Sequence, residues 1–172
     1  GALPQQTQQW RNAMTQNNLT HLNASGEAHM VDVGHKEDTH RVAEARGCVR
    51  MNRAAYDAIV AGNLKKGDAL GAARIAGIMA AKRASDLIPL CHPIALTRVE
   101  VRCEPTEGKD GPRIEIAARV ECVGKTGVEM EALTAVSVAA LTLYDMAKAI
   151  DRRMVIGEIT LVHKSGGRTV EL

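Results

Sequence analysis

Two segments of alternating character, joined by a stretch of turn residues, constrain this chain more than any other feature. In residues 98–103 the apolar Val99, Val101 and Cys103 alternate with charged side chains, and in residues 113–122 Ile114, Ile116, Ala118, Val120 and Cys122 do the same. A period of two gives each segment one face for a core and one for water. The intervening PTEGKDGP has the composition of a hairpin loop. The two segments are therefore expected as antiparallel neighbours in a sheet.

The other elements fall into place around that pair. Residues 39–51 roughly alternate as well, with Ala43, Ala45, Val49 and Met51 opposite Glu44, Arg46 and Arg50. Residues 53–61 suit a short helix closed by Gly62, and the loop NLKKGD leads to Asp68, a good N-cap for a second helix over residues 69–85. That helix carries Gly71, Gly77 and many alanines, so close packing is expected. With aromatic content at 2% and no Phe, small residues must fill the core. A long helix is expected from about residue 127 to 152, then a strand over 155–163 and a flexible KSGG. This order suits an α+β fold of ferredoxin-like type, an antiparallel sheet with helices packed on one face. Residues 1–20, rich in Gln and Asn, are expected as a flexible N-terminal extension to a single domain over 21–172.

Charge and cysteine usage exclude several classes. Lys and Arg total 22 against 20 acidic residues, a net charge of +2, which gives no electrostatic case for duplex nucleic acid or an anionic membrane. No apolar run approaches the ~20 residues that span a bilayer, and the first residues lack the apolar core of a secretory signal, so neither feature is expected. The expected location is cytoplasmic. Cys48, Cys91, Cys103 and Cys122 form no C-x-x-C pair, so free thiols are expected rather than a zinc ribbon or a disulfide framework.

Three stretches carry chemistry. LIPLCHP sets Cys91 and His92 between Pro89 and Pro93, a stiff loop that suits presentation of an imidazole, although the residues alone favour a structural turn. GKTGVEME lacks the first glycine of a phosphate-binding P-loop, since Arg119 stands there. It still offers Lys125 and a Gly-containing turn at a helix start, where an anion is favoured, or else it is an ordinary helix start with Glu129 and Glu131 as first-turn charges. YDMAKA places Asp145 and Lys148 one turn apart among Leu141, Leu143, Met146, Ala147 and Ile150, which suggests an enclosed pair rather than a surface one. Glu131 and Asp145, fourteen residues apart, would be ~21 Å apart along one helix. One small pocket cannot easily take both from one chain. Either the ligand is elongated or different subunits supply them, and the second arrangement is expected. Arg41, Lys65, Lys66, Lys125, Lys164 and Arg168 could neutralise a triphosphate if gathered on one pocket.

Taken together, MVDVG, LKKGDAL, ARIAGIMAAKRASDLIPLCHP, GKTGVEMEALTAVSVAALTLYDMAKA and KSGG closely resemble the cyclic pyranopterin monophosphate synthase family, MoaC, from about Leu19 to Gly167. The resemblance implies a lyase of molybdenum cofactor biosynthesis that converts 3′,8-cyclo-7,8-dihydro-GTP to cyclic pyranopterin monophosphate with release of pyrophosphate. It also implies a hexamer, a trimer of dimers, with interfacial sites. Carried over residue by residue, it implies catalytic roles for Asp145, Lys66 and Lys148. Substrate binding is implied for Leu90, Cys91, His92, Glu129, Met130 and Glu131, with Arg41 and Lys164 near the triphosphate. The tail departs from the pattern, because GGRTVEL stands where many relatives continue GGKSGD. No dedicated metal cage or cofactor is expected, although Mg²⁺ can accompany a triphosphate through its oxygens. The rival reading, a nucleotide- or RNA-binding module on the same fold, lacks the stacking aromatics of such domains, since the chain has only Trp10, Tyr56 and Tyr144.

Overall fold

The computed structural model describes residues 26–167 and Leu172; the expected extension over 1–20 and the tail positions 168–171 lie outside the described residues. The chain divides into two units, residues 1–33 and 34–172, and all the helices and strands below belong to the second. They are β1 (Thr39–Arg50), α1 (Arg53–Ala61), α2 (Ala69–Lys82), α3 (Ala84–Leu87), β2 (Leu96–Gly108), β3 (Gly111–Gly124), α4 (Glu129–Ala147) and β4 (Val155–Ser165). The strands form one sheet in the order β2-β3-β1-β4, with every neighbouring pair antiparallel. The expected α+β architecture is the observed one.

Alternation becomes burial as expected. Ile114, Ile116, Ala118, Val120 and Cys122 of β3, Ala43, Ala45 and Val49 of β1, and Val101 and Cys103 of β2 all join one core with Ala132, Ala135, Val136, Ala139, Ala140 and Leu143 of α4. The intervening positions Glu44, Glu100, Glu115 and Arg119 stay at least partly exposed. All four cysteines are free thiols.

The β2–β3 hairpin is longer and tighter than its composition suggests. Pro105 pairs with Ile114, Glu107 with Pro112 and Gly108 with Gly111, leaving Lys109 and Asp110 as the turn. Gly111 takes a φ of 95° there, a conformation that glycine tolerates without strain. Proline is accommodated because β2 lies at the sheet edge. The helices, by contrast, stop early. The expected 69–85 helix ends at Lys82 and is followed by the separate turn α3, and the expected 127–152 helix runs only from Glu129 to Ala147. At 19 residues α4 is apolar and long enough to cross a bilayer, which corrects the expectation that no such run exists; here its apolar side chains make the core. Past Ala147 the chain tightens into a turn in which the Ile150 N–H bonds the Ala147 carbonyl three residues back, while Asp151 accepts the N–H groups of Asn52 and Arg153.

Of the two glycines in α2, Gly77 serves close packing, whereas Gly71 makes room for the Asp68 cap. A Cβ on Gly77 would stand 3.0 Å from the Ala135 carbonyl oxygen and 3.1 Å from a Val101 methyl, tighter than ordinary contact. Gly77→Val forces α2 away from α4 and the sheet. It is expected to cost about 1–3 kcal/mol, read as a lower urea midpoint with an unchanged slope.

Candidate functional site

The sequence-predicted residues gather at the two ends of α4. At its C-terminal end, Asp145 receives two ammonium groups. Lys66 Nζ lies 2.9 Å from Asp145 Oδ2 and donates also to the Asp145 carbonyl at 3.2 Å, and Lys148 Nζ lies 3.0 Å from Oδ1. Lys66 is delivered by the loop between α1 and α2, which starts at Gly62 in the left-handed conformation and ends where Asp68 caps α2 by accepting the Gly71 N–H. The carbonyl contact satisfies an oxygen that the ending helix leaves without an intrahelical partner. The hydrogen bond from Lys66, then that from Lys148, holds the Asp145 carboxyl below the usual aspartate range. One carboxylate between two ammonium groups leaves a net positive charge. It suits an anionic ligand or intermediate.

These groups border a cleft of about 300 Å³ lined by Asn63, Leu64, Lys65, Lys66, Asp145, Met146, Lys148, Ala149 and Ile150. Asn63, Leu64, Ala149 and Ile150 carry no motif chemistry, and nothing in their sequence signalled a shared wall. The pair is not enclosed, contrary to expectation: the Asp145 side chain is 55% exposed and those of both lysines 49%. Leu143 and Ala147 take the core-facing side of α4, while Leu141, Asp145 and Lys148 point outward.

At the other end, Glu131 is 3% exposed. Its Oε2 accepts the Cys91 thiol at 3.5 Å, while Oε1 is buried without a hydrogen-bond partner. Burial pushes the carboxyl above the ordinary glutamate range, against the opposing hydrogen bond from Cys91. That contact joins the LIPLCHP loop to the start of α4 at Glu131; Leu90, Cys91 and His92 are all half-buried. Glu129 pairs with Lys164 at 2.5 Å. Arg41, 3% exposed, donates from Nε to the Gly124 carbonyl at 2.9 Å. The KSGG segment, expected to be loose, is pressed against Arg41: a side chain on Gly166 would strike the His40 carbonyl, and one on Gly167 the Arg41 guanidinium. Lys125 does not join this end, because it turns to the Lys36 carbonyl and Asp38. Among the described residues no three His, Cys, Asp or Glu side chains converge as a metal-binding group.

The Cys91 thiol is pushed up to about 11, first by burial and then by the Glu131 charge. A raised value means that thiolate is scarce at neutral pH and accumulates only as pH climbs towards 11. At pH 8 its alkylation by iodoacetamide is expected to be many-fold slower than that of an unfolded cysteine. Glu131→Gln removes the repelling charge and is expected to accelerate it, as followed by mass spectrometry.

The two groups belong to the two ends of one helix. Glu131 and Asp145 are separated by fourteen residues, or ~21 Å of helix, and among the described residues no hydrogen bond or ion pair links the two groups. Comparison with known proteins follows the same residues. The MoaC family model matches residues 30–167, a span that contains every candidate position except Arg168. A cyclic pyranopterin monophosphate synthase from Roseiflexus sp. (strain RS-1) is 63% identical over 151 residues, covering 88% of this chain and 94% of that protein. The proteins of the same name from Brucella ovis and Brucella melitensis biotype 2 are each 58% identical over 151 residues, 88% of this chain and 90% of theirs.

Proposed function

The chain belongs to the MoaC family, and from that premise we propose that it is a cyclic pyranopterin monophosphate synthase of molybdenum cofactor biosynthesis. It is a lyase that converts 3′,8-cyclo-7,8-dihydro-GTP to cyclic pyranopterin monophosphate and pyrophosphate. The observation that carries this reading is the identity of 58–63% with proteins of that name over nearly their whole length. The geometry supports it, because the two ends of α4 supply different parts of what the reaction needs.

In our reading the cyclic phosphate forms when a ribose-derived hydroxyl oxygen attacks the α-phosphorus. A new P–O bond forms, the bond to the β-phosphate bridging oxygen breaks, and the pair leaves with pyrophosphate. The hydroxyl proton passes to a base, and ring opening and pyrazine closure need further proton transfers. Lys66 and Lys148 stabilise the anions formed on the way, and Asp145 holds both ammonium groups in place or exchanges protons with them. Glu131 Oε1, buried and unpartnered, is suited to accept a ring N–H of the purine-derived part, with His92, Leu90, Cys91 and Met130 packing around it. Arg41 and Lys164 hold phosphate oxygens; Lys164 would exchange its Glu129 partner for them. A Mg²⁺ ion would enter with the triphosphate, on its oxygens.

A ligand served by both ends requires two copies of the chain, one giving the Lys66, Asp145 and Lys148 end and another the Glu131 end. We take the assembly to be a hexamer, a trimer of dimers, working in the cytoplasm. Incubating purified protein with 3′,8-cyclo-7,8-dihydro-GTP and measuring both products tests the assignment. Equimolar pyrophosphate and cyclic pyranopterin monophosphate are expected. Neither product from folded protein would return the chain to the binding-module reading.

A further inference from the structure

Asp151 is a carboxylate that none of the chemistry above uses, yet it is only 9% exposed. Its Oδ2 accepts the Asn52 N–H at 2.8 Å and its Oδ1 the Arg153 N–H at 2.9 Å. Each oxygen therefore serves a different segment. One is the turn that leaves α4 immediately after Lys148, and the other is the residue that starts α1. Asn52 is itself the N-cap of α1, its side chain accepting the Ala55 N–H at 2.8 Å. The helix it begins ends at Gly62, where the loop carrying Lys66 departs. The same turn is pinned from a second side, since the Tyr144 hydroxyl donates to the Arg152 carbonyl at 2.9 Å.

We propose that Asp151 is a positioning residue for the reaction, bridging the two segments that deliver Lys148 and Lys66 so that both ammonium groups meet Asp145. Three features favour this over generic stabilisation. Helix α1 has only Ala55 and Ile59 buried, so its own packing anchors it weakly. Lys148 lies three residues before Asp151, in a turn tied back to α4 by the Ile150 and Asp151 N–H bonds to the Ala147 carbonyl and the Tyr144 hydroxyl, few bonds for a segment that must place an ammonium group. Finally, the cleft walls are these two segments, residues 63–66 on one side and 145–150 on the other. An aspartate can serve both N–H groups at once, whereas an asparagine has one acceptor oxygen and would set its NH₂ against the second N–H.

The inference rests on the proposed reaction for its kinetic arm but not for its structural one. The test compares full-length wild type, Asp151→Asn and Asn52→Ala. The last loses the cap of α1 yet keeps the backbone N–H that Asp151 accepts. Two quantities are read: the titration midpoint of the Asp145 carboxyl by ¹³C NMR, where Lys65, Lys66 and Lys148 are the charged groups on the cleft, and kcat and KM for the cyclised nucleotide. In Asp151→Asn the Asp145 midpoint is expected to rise towards that of an ordinary aspartate, with kcat down by roughly 10- to 100-fold and KM little changed, the signature of lost transition-state interactions. Asn52→Ala is expected to lower the melting temperature while leaving the midpoint and kcat at wild-type values. The proposal is overturned if Asp151→Asn folds with an unmoved Asp145 midpoint, or if Asn52→Ala shifts both quantities equally. Should Asp151→Asn not fold, Asp151→Ser is taken through the same measurements, and failure of both to fold would show a global role and overturn the proposal. A wild type without turnover would refute the assigned reaction alone, since the Asp145 midpoint still decides the positioning role.

Discussion

Lys66→Ala is expected to lower kcat for 3′,8-cyclo-7,8-dihydro-GTP by roughly 10²–10⁴-fold, the range seen when a group that transfers or steadies a proton is removed. The size follows from what this one ammonium touches. It meets the Asp145 carboxylate and the Asp145 carbonyl together, so its loss strips the carboxylate of one of two cationic partners and frees a helix-end oxygen. The hydrogen bond from Lys66 is the foremost cause of the low Asp145 titration. Without it the carboxyl is expected to take up a proton at higher pH, moving the acidic limb of the residual pH–rate profile upward. Stability should barely change, because the lysine is half exposed and exposed ion pairs contribute little. Lys65→Ala, one residue away on the same cleft while Asp145 pairs with Lys66 and Lys148, is the matched control and is expected to keep most of its turnover. Normal turnover by Lys66→Ala would remove the lysine from the chemistry.

Much of the fold was legible because it depends on local period. The alternation of β2 and β3 survives directly as core and surface faces, that of β1 only in part because Val42 and Cys48 on its other face are buried as well, and Gly62 and Asp68 mark helix ends by their own backbone preferences. What was not legible depends on distant partners. The hairpin loop looked long because Pro105 and Gly108 are turn formers, yet cross-strand pairing with Ile114 and Gly111 overrides that preference at a sheet edge. The end of α4 was hidden because Asp151 finds its acceptor role with Asn52, 99 positions earlier in the chain.

The candidate site divides in the same way. Asp145 and Lys148 are i, i+3 neighbours on a helix, so their meeting could be read from spacing alone. Lys66 is 79 positions from Asp145 and Cys91 is 40 from Glu131; no periodicity links them, and only the family resemblance put them on one list. Burial could not be read for either acid. Helix α4 is apolar nearly all round, so the sequence left open which charged positions turn inward. In the structure Glu131 does and Asp145 does not, the reverse of what the apolar flanks of Asp145 suggested. That difference also gives the two acids different chemistry. One is a solvated carboxylate held ionised by lysines, and the other is a buried carboxyl driven towards its protonated form.

On the proposed two-copy site neither end of α4 acts alone, and that proposal has a large, specific consequence. Lys66→Ala cripples one end and Glu131→Gln the other, so each variant by itself is expected to be nearly inactive. If every site takes its Lys66 from one copy and its Glu131 from another, randomly mixed assemblies must contain some sites with neither lesion. Half of the Lys66 donors and half of the Glu131 donors are intact, so about a quarter of the sites are restored by this two-copy arrangement. The measurement is the turnover of Lys66→Ala and Glu131→Gln chains, differently tagged, co-expressed and purified as mixed assemblies. A site shared between copies predicts recovery to about a quarter of wild-type activity, whereas a mixture no more active than its two parents would place both ends of α4 in the same subunit's site and contradict the account.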